Sequence, residues 1–138
     1  MQLLKATLTI ILAAIVVGCT FVRHQDIDAW VGMPVEALDT HSYFRTVQMY
    51  RKITGSGIEI RNYVNGKVGD VAKCWRLSGG GKFGRYVNKF TACPDRLIVC
   101  NNIFHIREGK VIEYAPTGQC LTNETVQPQA HYLRLKER

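Results

Sequence analysis

The chain has 138 residues, 46% of them hydrophobic, and carries 18 Lys and Arg against 11 Asp and Glu for a net charge of +7. That length builds one domain with a modest core and excludes two. The charge is uneven: residues 24–40 hold Asp26, Asp28, Glu36 and Asp39 with no Lys or Arg. Residues 67–89 hold Lys67, Lys73, Arg76, Lys82, Arg85 and Lys89 against Asp70 alone, so an acidic N-terminal segment precedes a basic middle.

At the N-terminus Lys5 supplies a positive charge, and residues 6–17 form an uninterrupted weakly polar-to-apolar run. This is the layout of a secretory signal, and its apolar core is too short to span a bilayer comfortably. It ends in Val16-Val17-Gly18-Cys19, which resembles the lipobox of bacterial lipoproteins. The resemblance implies removal of residues 1–18 and a thioether from Cys19 to a diacylglyceryl group. The small residue before Cys19 admits the backbone to the peptidase site. Without Lys5, 17 basic side chains face 11 acidic ones, a net charge of +6. Thr20 stands where Asp is the usual inner-membrane retention signal of Gram-negative lipoproteins, so the resemblance favours the periplasmic leaflet of the outer membrane. Stable anchoring needs several acyl chains on Cys19, since one chain binds only marginally. In that compartment a basic face suits anionic lipid head groups, anionic glycans or an acidic partner protein, and nucleic acid is excluded.

Residues 19–25 are expected as the lipidated cysteine with a short tether, residues 26–120 as the domain, and residues 121–138 as a polar extension. Asp26 is read as an N-cap for a short helix carrying Ile27, Trp30 and Val31 and stopped by Gly32. Pro34 opens a second short helix through Val35, Ala37 and Leu38. Strands are expected from residue 50. Gly57 to Val64 begins with alternating polarity and meets Asn65-Gly66, a hairpin signal, with a returning strand through Val68, Val71, Cys74 and Leu77. A second hairpin is expected from the apolar stretch Arg96 to Arg107, a turn at Glu108-Gly109, and a strand from Lys110 to Ala115 that ends at Pro116 and Gly118. The fold class is therefore α+β, two short N-terminal helices packed on one face of a small antiparallel sheet of three to four strands.

Setting Cys19 aside leaves Cys74, Cys93, Cys100 and Cys120, an even number that reads as two disulfides in an oxidising compartment. Of the three possible connectivities, Cys100 with Cys120 and Cys74 with Cys93 is favoured, the first stapling the terminal hairpin. Zinc is disfavoured because there is no C-x-x-C pair and no histidine cluster. Gly79-x-Gly81-x-x-Gly84 matches the text of a dinucleotide fingerprint but lacks its βαβ setting and its downstream acid. The flexible loop reading leaves Lys82, Phe83, Arg85 and Tyr86 as a candidate contact surface for a glycan or membrane. His24, His41, His105 and His131 are scattered, and a Cys–His nucleophile needs a free thiolate. No catalytic residue, cofactor or metal is expected, and Trp30 is read as a core anchor.

Trp30-x-Gly32 followed by Leu38, just after a lipidated cysteine, resembles the W-x-G-x5-L signature of small bacterial envelope lipoproteins of the SmpA/OmlA type. These include the small subunit of the machinery that inserts outer-membrane β-barrels. Their architecture is also similar to that of β-lactamase inhibitor protein modules. The stretch from Cys100 through Val111 to Gly118-Gln-Cys120 resembles the terminal hairpin of many relatives, with a cysteine at each end. Together the similarity covers residues 19–47 and 96–120. Where many relatives carry a second W-G-x-P motif, this chain reads His41-Ser-Tyr-Phe44. The resemblance implies a non-catalytic interaction or assembly module with an envelope protein partner, in outer-membrane protein assembly or envelope integrity. The alternatives are an inhibitor of an envelope-active hydrolase and a cell-wall hydrolase.

Overall fold

A computed structural model describes residues 22–79, 93 and 97–137, with the side chains of residues 75–79 outside that description. The chain is α+β, with a four-stranded antiparallel sheet in the order β1-β2-β3-β4. The strands are β1 (Gln48–Ile53), β2 (Glu59–Gly66), β3 (Val99–Arg107) and β4 (Lys110–Gly118). The helices are α1 (His24–Asp28), α2 (Glu36–Asp39), α3 (Val68–Gly79) and α4 (Ala130–Lys136). Single 3-10 turns occur at Phe44–Thr46 and Glu124–Val126.

Two tight connections set the register. Gly57, at φ +78°, lies in the β1–β2 loop, which the Thr54 N–H closes by donating to the Ile58 carbonyl at 2.8 Å. Glu108 and Gly109, at φ 51° and 74°, join β3 to β4. Positive φ at both central residues gives a turn whose twist matches that of the strands it joins. The first helix ends earlier than expected, at Asp28, so Trp30 and Val31 lie in the turns that follow it; Gly32, at φ +85°, closes those turns, and its N–H donates to the Val111 carbonyl at 2.8 Å. This bond brings the N-terminal segment onto the start of β4.

Side chains alternate along a strand, so each strand serves both faces. On one face Phe104, Ile106, Val111, Tyr114 and Tyr63 pack with Trp30, Leu38, Phe44 and Val126. Trp30 is fully buried, with its ring centroid 5.0 Å from Phe104 and 5.8 Å from Phe44 in edge-on contacts. Its indole N–H donates to the Val126 carbonyl at 2.7 Å, which satisfies its one polar atom inside the core. On the other face Val64, Val99 and Tyr50 pack with Cys74, Cys93 and Leu97.

Several expectations are corrected. Asn65-Gly66 is not a hairpin turn; it ends β2 opposite Cys100 and Val99, and Val68–Gly79 is a helix rather than a returning strand. Val68, Val71, Cys74 and Leu77 recur every three residues, a helical rather than a strand spacing. Helices therefore cover both faces of the sheet, not one, because α3 brings Val71 and Cys74 against the Val64–Val99 face. The first hairpin turns at residues 54–58, with β1 as its leading strand. Pro116 does not end β4; it lies opposite Asn102 in a strand at the sheet margin, where proline is tolerated. Asp26 is not an N-cap but a buried member of α1, which Arg23 precedes. Residues 121–137 are no extension: Val126 joins the core and Tyr132 and Leu133 pack against it.

Candidate functional site

Arg23, three residues before the expected start of the domain at 26, is already clamped into it. Its Nε and Nη2 donate to the two Asp26 carboxylate oxygens at 2.8 Å each, and its Nη1 donates to Glu124 at 2.8 Å. The Arg23 backbone N–H donates to Thr122 Oγ1 at 2.8 Å, and Gln127 Nε2 donates to Asp26 Oδ1 at 2.6 Å. Asp26 is fully buried. The Arg23 guanidinium nevertheless holds its carboxyl below the usual range against the cost of burial, with Gln127 and Thr122 adding to the effect. The clamp fastens the point of chain entry to the C-terminal segment.

A second ionic group ties α2 to the sheet. Arg61 donates to Asp39 and to Glu59 at 2.6 Å each, and Arg51 donates to Glu59 at 2.7 Å. Burial opposes ionisation of Glu59, yet the bonds from Arg51 and Arg61 hold its pKa below the ordinary value.

The four domain cysteines pair as Cys74–Cys93 and Cys100–Cys120, the favoured connectivity. The first ties α3 to the approach to β3; the second joins the start of β3 to the residue two beyond β4. At this same end of the sheet a groove of about 530 Å³ lies between β1, β2 and α3, lined by Val47, Tyr50, Val64, Asn65, Val71 and Ala72 among others. Its described lining is predominantly apolar.

Cys19 and the contact candidates Lys82, Phe83, Arg85 and Tyr86 lie outside the described residues. The histidines that are described take structural roles or sit at the surface. His41 is buried, with Nε2 2.8 Å from the Gln127 carbonyl and Nδ1 accepting from the Phe44 N–H at 3.4 Å. Burial pushes its pKa down, so the ring is neutral at neutral pH. His105 lies half-buried, 3.1 Å from the carboxylate of its cross-strand partner Glu113. Among the described residues no group of three or more His, Cys, Asp or Glu is placed to hold a metal ion. No helix among them is long and apolar enough to cross a membrane. Sequence reasoning missed the clamp because Arg23 and Asp26 meet partners about a hundred positions away, and only their i, i+3 spacing was a local sign.

Comparison of the chain with protein-family models, with curated proteins and with solved structures finds no match.

Proposed function

We propose that the protein is a lipid-anchored envelope module, held to the periplasmic leaflet of an outer membrane through Cys19 and working by presenting its α+β domain to a partner protein without catalysis. The observation that carries the reading is the pairing of a two-disulfide domain, into which Arg23 is already bonded, with a lipobox-like Val16-Val17-Gly18-Cys19 whose cysteine is only four residues upstream. Disulfides belong to an oxidising compartment, and a domain joined this closely to its anchor is held near the bilayer. The basic residues 67–89 add affinity for anionic head groups or glycans.

The test is crosslinking in intact cells, followed by purification of the lipidated protein and mass identification of what is attached. A specific crosslink to a barrel-assembly component or another outer-membrane protein supports the module. Stoichiometric capture of a hydrolase replaces it with the inhibitor reading. Turnover of a cell-wall substrate by the purified protein contradicts it.

A further inference from the structure

Three strands meet at one end of the sheet, where Gly66 lies opposite Val99 and Cys100 opposite Gly118. Within three residues of that end stand Val68, Ile98 and Leu121, exposed by 86%, 52% and 70%. Val68 and Leu121 are the two most exposed large hydrophobic side chains among the described residues. Their backbones are fixed. Gly66 approaches the Ile98 carbonyl so closely that a Cβ would lie 2.6 Å from it, and the Ile98 N–H donates to the Asp70 carboxylate of α3 at 3.1 Å. The Gln119 N–H donates to the Val99 carbonyl at 2.9 Å, and Cys120, next to Leu121, is bonded to Cys100.

Arg23 lies beside this end, since its N–H donates to Thr122, the residue after Leu121. Cys19 precedes Arg23 by four residues, a reach of at most ~14 Å at about 3.3–3.6 Å per residue. Lys67, beside Val68, is exposed, while the nearby acids are engaged, Asp70 by Ile98 and Lys73 and Glu124 by Arg23.

We propose that this end of the sheet is a bilayer-contacting face: Val68, Ile98 and Leu121 enter the headgroup–acyl boundary of the leaflet that holds the Cys19 lipid, and Lys67 meets its phosphates. The proposal rests on the lipid-anchor reading and adds an orientation to it. The opposite end, with Ile53 and the Glu108-Gly109 turn, points away, roughly 23 Å further along β2 at about 3.3 Å per residue.

The experiment uses full-length protein isolated from cell envelopes, with a nitroxide on one added cysteine (Val68→Cys, Ile98→Cys, Leu121→Cys or Ile53→Cys). The protein is placed in phosphatidylethanolamine–phosphatidylglycerol vesicles, and its intact mass is measured alongside. Collision rates with oxygen and with a water-soluble nickel chelate give the depth of each label. Labels at 68, 98 and 121 are expected about 5–10 Å inside the headgroup boundary, with the label at 53 in water. Should Leu121→Cys mispair with its neighbour Cys120, Val68→Cys carries the test. A lipid mass with every label in water overturns the proposal and leaves the anchor standing. No lipid mass and no vesicle binding overturns both. Vesicle entry of the three labels without a lipid mass upholds the face and refutes the anchor.

Discussion

Asp26→Asn tests how the domain is held at its point of entry. The carboxylate is fully buried and accepts two bonds from Arg23 and one from Gln127. Asparagine keeps the shape and one acceptor but removes the charge and turns a donor toward the guanidinium. Bonds to charged groups contribute about 1.5–3 kcal/mol each, and stranding one member of a fully buried pair costs about 3–5 kcal/mol. The Arg23 side chain is 32% exposed and keeps Glu124, so water absorbs part of the penalty, and a loss of about 2–3 kcal/mol is expected. In urea, with disulfides intact, the midpoint then falls by roughly 1 M at an m-value of about 2 kcal/mol/M. The pH dependence follows from the depressed carboxyl. Its contribution is complete above the unfolded value of about 3.9 and is lost as pH falls through the lower folded value. The wild-type advantage over Asp26→Asn should therefore shrink in acid. A change below about 0.5 kcal/mol at neutral pH, or a gap that persists unchanged at about pH 2, would show that the Asp26 charge does not hold Arg23 in place.

Trp30→Phe leaves the buried Val126 carbonyl without its 2.7 Å donor and should cost about 1.5–3 kcal/mol in thermal unfolding; a neutral result would show that the C-terminal segment is not fastened through the indole. Gly118→Ala should cost more than Gly32→Ala: both glycines have positive φ, but a Cβ at 118 would lie 2.7 Å from the Val99 carbonyl whereas at 32 it meets nothing within 4 Å. The strain of left-handed backbone alone is about 1–2 kcal/mol, and chemical denaturation of the two variants isolates the clash as the difference. Replacing Cys100 and Cys120 together by Ser opens a disulfide spanning 20 positions, for an expected loss of about 3 kcal/mol; equal midpoints in oxidised wild type and variant would contradict it.

Features carried by local chemistry were readable from the sequence. Glu108-Gly109 turns the second hairpin, and Trp30 sits at the centre of the core. The two disulfides pair as favoured: Cys100–Cys120 staples the hairpin that β3 and β4 form, and Cys74–Cys93 ties α3 to the approach to β3. The errors arose where a strong local signal competed with a periodic one. Asn65-Gly66 suggests a hairpin only when the following segment has strand periodicity, and Val68, Val71, Cys74 and Leu77 have helical spacing. The C-terminal segment was misjudged because its polarity outweighs the few residues that dock it, Val126, Tyr132 and Leu133. The Arg23 clamp joins the first helix to the segment after β4, and the apolar end formed by Val68, Ile98 and Leu121 gathers residues flanking the ends of β2, β3 and β4; each brings together distant positions, so no window of sequence contains them.

Whether Cys19 carries the lipid that holds this domain to a membrane is decided by the intact mass of protein isolated from the envelope, compared with a Cys19→Ala variant. The expected species is a mature chain beginning at Cys19 with a diacylglyceryl and a further acyl group, with no such mass from Cys19→Ala. A wild-type chain that retains residues 1–18, or one cleaved elsewhere with an unmodified Cys19 thiol, would contradict it.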